Sequence, residues 1–356
     1  MEALCDIIIP VWNLPQKTAR CLQSIVSNTF CRYRLILIDN ASEKPTAEFL
    51  EQFRTNAPCS VLLIRNEENL GNIKAVNQGL QQSSAPYVCI LDNDTVVFRG
   101  WLEKMVEAAA SKENIGIVNP ASNSLGSKKP WYLSWNSFAE RIAGEEKGKI
   151  MEMATAVGFC MLIKREVIER IGGWCEDYGM GYYEDRDYSL RSAQAGFRCV
   201  VAREAFVYHE EHASFRRLKK KRKEMASASN RCLFESRFGV SERIAFCLKE
   251  SRENSTDLIK EPVLRLACEN HWVWIFFSEK SKLPHFLPHS NIRIVDLPPL
   301  GIRWNFIFHI LKKKKRFHRI YSDDPKVIED LQRLYLFHGA ELKLLNHATP
   351  ELSLRN

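Results

Sequence analysis

The sequence predicts an α/β protein: a mostly parallel sheet flanked by helices, followed by a smaller α/β unit. Short apolar runs alternate with segments of helical periodicity through the first 120 residues. These runs are continuously apolar, which is typical of parallel strands that are buried on both faces. Each of the first four runs also ends in polar residues, at the sheet edge where such folds bind ligands.

The first part of the chain supplies most of the predicted elements. We predict strands over residues 5–10, 33–39, 60–65, 87–91 and 115–119. Helical periodicity falls between them, over residues 16–27, 46–52, 73–82 and 101–110. Further strands are predicted over 154–164 and 198–208, with helices over 165–171, 184–195 and 216–253. Residues 128–149 are polar, irregular and rich in Trp and Gly, so we expect a mobile loop or a subdomain joint there.

The pattern changes after about residue 261. Short strands are predicted over residues 272–278, 292–296, 319–322 and 342–345, with helices over 304–312 and 325–338. We therefore divide the chain into a first domain (1–240, with a basic trailing helix), a linker or helix (241–260) and a small α/β domain (261–356).

Composition is that of an ordinary globular protein, with 45% hydrophobic and 26% charged residues among 356. No run of 18 apolar residues occurs and the N-terminus lacks signal-peptide features, so we expect a cytoplasmic protein without a spanning helix. The eleven cysteines are scattered singly, several inside apolar runs, and are expected to be reduced core residues.

The net charge of +8 is concentrated in two runs, residues 214–223 (SFRRLKKKRK) and 312–316 (KKKKR). Each indicates an anionic neighbour: a membrane surface, a phosphorylated acceptor or nucleic acid. A solvated helix face is the alternative. For residues 216–223 we predict reversible contact with an anionic membrane.

Residues 91–95 (LDNDT) follow a predicted buried strand directly. Side chains two residues apart in an extended chain point to the same side, so Asp92 and Asp94 can share one hard divalent cation. Such a cation takes its other ligands from water and phosphate oxygens. A polar loop that caps the strand is the alternative.

Other polar clusters follow at strand ends and helix starts. Asp39 can accept hydrogen bonds from a nucleobase edge, or can form an Asx-turn. Lys74, near the start of a helix, can meet a phosphate. Glu184 and Asp185 follow flexible glycines at another helix start, where the helix dipole is expected to keep them ionised and able to accept a proton. His209 ends a strand and is either a metal ligand or structural.

Eight motifs together resemble one family. They are residues 9–13 (IPVWN), 38–42 (IDNAS), 69–79 (NLGNIKAVNQG), 91–95 (LDNDT), 157–165 (VGFCMLIKR), 172–174 (GGW), 183–187 (YEDRD) and 208–209 (YH). In this order they resemble family 2 glycosyltransferases of the GT-A fold, most closely the bacterial rhamnosyltransferase-like branch. The likeness covers about residues 4–240 and includes a trailing element, residues 230–239, in which Arg237 and Phe238 depart from the family pattern.

The resemblance implies a role for each cluster. Asp39 recognises the base of a nucleoside-diphosphate sugar. Asp185 is the catalytic base, with Glu184 as the alternative. The metal, Mn²⁺ or Mg²⁺, is held by Asp94, Asp92 and His209. The predicted donor-nucleotide site comprises, with Asp39, the residues Pro10, Val11, Asn13, Asn69, Gly71, Lys74, Asn77, Asp92 and Asn93.

The resemblance implies an inverting, metal-dependent transfer of a sugar from a nucleoside-diphosphate sugar to a glycan or lipid-linked acceptor, in cell-surface polysaccharide or glycan assembly. No nucleic-acid partner is expected, and the oligomeric state is not predicted. A dehydrogenase needs Gly-x-Gly-x-x-Gly after the first strand, and a nucleotidyltransferase needs a Gly-rich basic loop; residues 12–16 contain no glycine. A non-catalytic nucleotide-sugar-binding or scaffold protein stays open.

Overall fold

The computed structural model describes residues 3–210, 220–248, 253–277, 288–312 and 315–345, without the side chains of 220–226 and 253–258. The chain divides into two compact units, Met1–Phe238 and Gly239–Asn356.

The first unit contains nine strands and eight α-helices within the described residues. The strands are β1 (Cys5–Val11), β2 (Tyr33–Asp39), β3 (Ser60–Arg65), β4 (Tyr87–Leu91), β5 (Thr95–Val97), β6 (Ile115–Ala121), β7 (Ile150–Met153), β8 (Cys160–Lys164) and β9 (Arg198–His209). The helices are α1 (Pro15–Asn28), α2 (Lys44–Asn56), α3 (Asn72–Gln82), α4 (Trp101–Ala110), α5 (Trp135–Glu145), α6 (Arg165–Ile171), α7 (Glu184–Gln194) and α8 (Lys220–Phe238).

These strands form one sheet in the order β3-β2-β1-β4-β8-β6-β9-β5, with β7 also paired to β9. Strands β3, β2, β1 and β4 are parallel to one another. Alternate residues of β1 enter separate cores: Ile7 and Ile9 pack on one face, and Ile8 packs on the other. The continuous apolar character of the strands therefore reflects burial on both faces, which confirms the predicted α/β class.

The carboxyl ends of β1 to β4 meet at one edge of the sheet because these strands are parallel. Strand β8 is antiparallel to β4, and its first residue, Cys160, pairs with Leu91 at that same edge. Strand β5 is antiparallel to β9 and places Thr95 opposite His209. The C-terminal ends of β4 and β9 and the turn before β8 therefore lie at the same edge of the sheet.

Two segments of the first unit differ from the prediction. Residues 128–149 were expected to be a loop, but they contain α5, which buries Phe138 and Ala139. Serine is a preferred N-cap residue, so Ser134 was a sequence signal for the start of a helix. In the structure its side chain accepts a hydrogen bond from Ser137 N–H, as an N-cap residue does. Residues 154–164 were expected to be one strand, but only Cys160–Lys164 is extended and β7 ends at Met153.

The second unit has a sheet of five parallel strands in the order β12-β11-β10-β13-β14. The strands are β10 (Arg243–Leu248), β11 (Trp272–Phe277), β12 (Ile292–Asp296), β13 (Arg319–Ser322) and β14 (Glu341–Leu344). The helices are α9 (Glu253–Cys268), α10 (Ile302–Lys312), α11 (Pro325–Arg333) and α12 (Tyr335–His338). Separate apolar clusters cover the two faces of this sheet.

Residues 241–260, predicted as a linker or helix, include β10, the central strand of the second sheet. Helix α8 ends before Gly239, which adopts φ +79°, so the predicted helix over 216–253 is interrupted by a strand. The apolar run of β10 (RIAFCL) carried the strand signal. The basic residues 216–219 lie outside the described residues, as do the side chains of 220–223.

All eleven cysteines fall within the described residues, and no disulfide joins any two of them. Those named from apolar runs, Cys5, Cys89 and Cys199, are buried in the first unit. Among the helices that the structure describes, none has the length and apolar composition required to cross a bilayer.

Candidate active site

Three side chains at the carboxyl edge of the first sheet lie close enough to share one metal ion. Asp92 and Asp94 flank the turn between β4 and β5, and His209 ends β9. One ligand atom from each of the three lies within 4.8 Å of the others. His209 Nε2 is 3.3 Å from Asp94 Oδ1 and 3.7 Å from Asp92 Oδ2. The pairing of β5 with β9 brings these distant parts of the sequence together.

The ring of His209 is held from two further sides. Its Nδ1 lies 3.1 Å from Ser124 Oγ, and Phe159 stacks on its face with ring centroids 5.0 Å apart. Asn123 exchanges hydrogen bonds with the backbone N–H and C=O of His209. With Nδ1 facing the serine, Nε2 is directed at the two carboxylates, the arrangement that metal-binding histidines adopt. Sequence reasoning missed Asn123, Ser124 and Phe159, because their roles depend on tertiary contacts.

A second pair of carboxylates, Glu184 and Asp185, opens α7 beside this cluster. The preceding residues Tyr182 and Tyr183 both have positive φ angles, 74° and 75°, which turn the chain sharply into the helix. Asp185 Oδ2 accepts a hydrogen bond from Gly158 N–H at 3.1 Å, and its Oδ1 accepts one from Arg186 N–H at 2.8 Å. The Asp185 carboxylate is therefore fixed in orientation by backbone donors.

Burial shifts the proton affinity of these acids. Desolvation, reinforced by the negative charge of Asp94, raises the pKa of Asp92 to about 7. Desolvation and the charge of Asp185 raise the pKa of Glu184 to about 8, and desolvation also raises the pKa of Asp185. Burial therefore disfavours the ionised forms of Glu184 and Asp185, which is opposite in direction to the expected effect of the helix dipole. That the two carboxylates stay ionised remains a prediction. Such a cluster of raised carboxyl pKa values is typical of functional sites.

The residues predicted to bind the base meet at the ends of β1 and β2. Asp39 is buried, and its carboxylate accepts hydrogen bonds from Ser42 N–H at 2.9 Å and Arg65 Nη1 at 2.8 Å. Asn13, in a left-handed conformation, donates its N–H to Ser42 Oγ and accepts from Glu43 N–H. This network lines the end of β1, where Val11 is buried and Pro10 half-buried.

Asn40 organises the adjoining loop, although it was not among the predicted site residues. Its side chain donates to Asn69 Oδ1 and Gly71 C=O and accepts from Leu70 N–H. Gly71 caps α3 with φ +85°, and a Cβ there would lie 3.0 Å from Met180 Sδ. Glycine at position 71 therefore lets the loop before Glu184 approach the predicted nucleotide side of the site.

Two predicted donor-binding residues face structural partners instead. The Asn77 side chain donates to Trp174 C=O and Glu176 and accepts from Trp174 N–H. Asn93 is buried and donates to Thr18 Oγ1 at 2.9 Å. Their amides hold loops in place, and contact of Asn77 or Asn93 with the donor stays a prediction. Lys74 is exposed on the first turn of α3.

Comparison with known proteins identifies a family for the first part of the chain. Residues 6–172 match the family model described as Glycosyl transferase family 2. The chain contains a family 2 glycosyltransferase domain. Together with the sheet topology, this match confirms the predicted GT-A fold class. The rhamnosyltransferase-like branch stays a prediction.

Curated relatives of this glycosyltransferase domain are distant in sequence. Glycosyltransferase AglE of Haloferax volcanii is 26% identical over 57% of this chain and 66% of its own length, just under two thirds. Succinoglycan biosynthesis protein ExoM of Rhizobium meliloti is 24% identical over 66% of this chain and 77% of its own. The solved mannosyltransferase PcManGT of Pyrobaculum calidifontis is 20% identical, with a TM-score of 0.48 over 60% of this chain and 58% of its own.

Helix α8 of the first unit anchors the loop that leads into Glu184 and Asp185. Asn230 Nδ2 donates to the backbone carbonyls of Tyr178 and Gly181 at 2.8 Å, and to that of Tyr182 at 3.1 Å. Arg237 pairs with Asp177 and lies 3.4 Å from buried Asp187. Residues 230–239, the trailing element identified by resemblance, therefore help to position Glu184 and Asp185.

Neutralising Glu184 is expected to stabilise the metal-free glycosyltransferase domain at alkaline pH. Folding raises the pKa of Glu184 from its ordinary value of 4.5 to about 8. The folded protein therefore holds this proton more tightly than the unfolded chain does. The resulting stabilisation is complete below pH 4.5 and is lost as pH rises through about 8.

Glu184→Gln removes the buried charge, so its melting temperature in EDTA is expected to exceed that of the wild type at about pH 8 and to match it at about pH 5. Glu68→Gln, in an exposed turn, is the matched control and is expected to change neither value. A Glu184→Gln protein that melts below the wild type at both pH values would contradict the assigned cause.

Proposed function

We propose that the first unit transfers a sugar from a nucleoside-diphosphate sugar to an acceptor hydroxyl, in one displacement that inverts the anomeric centre. The observation that carries this proposal is the proximity of two sets of side chains. Asp92, Asp94 and His209 form a set suited to a cation, and the charge of Asp185 is close enough to affect the pKa of Asp92. A metal-assisted leaving group and a proton acceptor are the two requirements of such a displacement.

The residues present fit a divalent cation. Two carboxylates and one imidazole provide oxygen and nitrogen ligands of the kind that Mn²⁺ takes, and Mg²⁺ also favours the carboxylates. A bound cation supplies positive charge that offsets the charge developing on the leaving diphosphate. Asp94 is the more buried of the two aspartates and lies nearer to His209, so we assign it the larger share of binding.

Asp185 is assigned the proton transfer. As the acceptor oxygen attacks the anomeric carbon, the bond from that carbon to the diphosphate oxygen breaks, and the acceptor proton passes to an Asp185 carboxylate oxygen. Backbone donors from Gly158 and Arg186 hold this carboxylate in place. The raised pKa makes the ionised form a stronger base than an exposed aspartate.

The nucleotide is assigned to the ends of β1 and β2. The buried Asp39 carboxylate there is flanked by Arg65, whose side chain is about half exposed (52%), and by the Asn13–Ser42 hydrogen bond. The names of relatives such as the succinoglycan biosynthesis protein favour a glycan or lipid-linked acceptor in cell-surface polysaccharide assembly. We assign no part of the transfer reaction to the second unit.

A donor screen by thermal unfolding tests this function. The protein is heated with UDP-, GDP- and dTDP-sugars, with Mn²⁺ or with EDTA. A ligand present at about 100 times its Kd stabilises the folded state by about 2.7 kcal/mol, so one nucleotide class is expected to raise the melting temperature by several degrees. The increase is expected to require Mn²⁺.

Nucleotide release from the stabilising donor is then measured with and without acceptor glycans. Metal-dependent release supports the transferase. Stabilisation by a donor with no release under any condition would favour the alternative, a non-catalytic nucleotide-sugar-binding protein. No stabilisation by any nucleotide sugar would contradict both functions.

A further inference from the structure

Helix α10 of the second unit is apolar on two sides. Its inner side buries Phe306, Ile307 and Ile310 in the core. Its outer side carries Trp304, Phe308 and Leu311, which are 62%, 60% and 40% exposed. Positions i, i+4 and i+7 of a helix lie on one face, so these three side chains form a continuous stripe. Burial in the core does not account for this second apolar stripe.

Elements next to α10 also expose large apolar side chains. Helix α12 packs against α10 and exposes Leu336 (89%) and Phe337 (67%), while Leu300, just before α10, is 92% exposed. The α10–α12 face is defined here as Leu300, Trp304, Phe308, Leu311, Leu336 and Phe337. Single exposed apolar residues are normal, but a cluster of large ones on adjacent helices indicates an interaction surface.

Cations predominate in the sequence around α10, whereas the segment that leads to α12 also contains acids: Asp323, Asp324, Glu329 and Asp330. Residues 297–322 contain seven Lys or Arg and no Asp or Glu. Lys312, Lys315 and Arg316, at the C-terminal end of α10, are exposed. The Lys312 Nζ lies 5.4 Å from the ring centroid of exposed Phe308, so the positive charge borders the apolar stripe directly.

We propose that the α10–α12 face docks on the surface of an anionic lipid bilayer. Exposed Trp, Phe and Leu bordered by Lys and Arg are the composition of helices that lie in the membrane interface. The apolar side chains enter the boundary between headgroups and acyl chains, while the cations contact lipid phosphates. A second copy of the chain fits this face poorly, because a symmetric contact would bring the cations of both copies together.

The α10–α12 face consists of other residues than 216–223, the basic segment for which membrane contact was predicted from its positive charge alone. It combines charge with insertable apolar groups, and it depends on residues 300–337 of the second unit. The inference does not rest on the proposed transferase function.

Vesicle flotation of the full-length protein tests the proposal. The vesicles are pure phosphatidylcholine, or phosphatidylcholine mixed with phosphatidylglycerol. Binding is expected only to the mixed vesicles and is expected to weaken with salt. An apolar variant (Trp304→Ser, Phe308→Ser, Leu336→Ser) and a charge variant (Lys312→Gln, Lys315→Gln, Arg316→Gln) are each expected to lower the partition coefficient by about tenfold or more.

Matched controls change the same kinds of side chain on the first unit. Phe30→Ser, Trp131→Ser and Tyr132→Ser together alter exposed aromatic residues. Lys44→Gln, Arg54→Gln and Lys147→Gln together remove three exposed cations. Both controls are expected to keep wild-type binding. Melting curves verify that every variant folds, as expected for exposed positions.

Several outcomes would overturn the proposal. These are equal recovery with neutral and anionic vesicles, unchanged binding of the apolar variant, and loss of binding only when Lys219, Lys220, Lys221 and Lys223 become Gln. A dimer that dissociates in the apolar variant would assign the face to a second copy. Binding of an acidic protein without binding of anionic vesicles would assign it to a protein partner.

Discussion

Asp185→Asn is expected to reduce sugar transfer by about 100- to 10,000-fold, the usual effect of losing a general base. The substitution preserves the size of the side chain but removes its ability to accept the proton of the acceptor hydroxyl. Donor affinity, measured by thermal shift, is expected to persist, because the proposed nucleotide contacts lie at the ends of β1 and β2. The rising limb of the pH profile of kcat/KM is expected to disappear with the residue that titrates it.

Glu184→Gln is the decisive comparison, because Glu184 adjoins Asp185 and also has a raised pKa. Within the described residues, its buried Oε2 atom has no hydrogen-bond partner, unlike the carboxylate oxygens of Asp185. If Glu184→Gln is inactive while Asp185→Asn works at nearly the wild-type rate, the base is Glu184.

Asp94→Asn is expected to abolish metal-dependent donor binding and to lower transfer by about 1,000-fold, equivalent to about 4 kcal/mol of lost electrostatic stabilisation. The change removes the negative charge nearest to His209 and keeps the shape of the buried side chain. Mn²⁺ titration by calorimetry measures binding, and nucleotide release measures turnover. The fold is expected to be intact, because the metal-free structure already carries a repulsion between Asp92 and Asp94 that the substitution removes.

Asp296→Asn, an exposed aspartate of the second unit, is the matched control and is expected to behave as the wild type. Full activity of the Asp94→Asn protein, or of the wild type in EDTA, would rule out a metal role for Asp94.

Local sequence pattern was sufficient where one physical signal dominated. The runs at β2, β3 and β4 are apolar, bounded by turn residues and too short to be helices, so their limits were predicted to the residue. The grouping of Asp39 and Asp92 at one edge followed from parallel pairing, because parallel strands present their carboxyl ends together. Helix α5 and strand β10 were missed although both carried signals, because the polar, Trp-rich surroundings of α5 and the basic run before β10 dominated the interpretation.

Side-chain direction was less predictable than position. Asn77 and Asn93 lie within recognised motifs, yet their amides hold Trp174 and Thr18. Asn40, adjacent to the predicted Asp39, organises the loop of Gly71. An amide can satisfy its hydrogen bonds equally well with a ligand or with a loop, and sequence spacing does not discriminate between the two.

The α/β class, the order of the motifs and the residue types at the sheet edge could all be predicted from the amino-acid sequence. These properties depend on hydrophobic periodicity and on residue identity, which are local. The contact between His209 and Asp94 could not be predicted in this way, because it requires the pairing of β5 with β9, which are far apart in the sequence. The raised pKa values of Asp92, Glu184 and Asp185 likewise depend on tertiary structure, because the desolvation that raises them comes from the surrounding side chains.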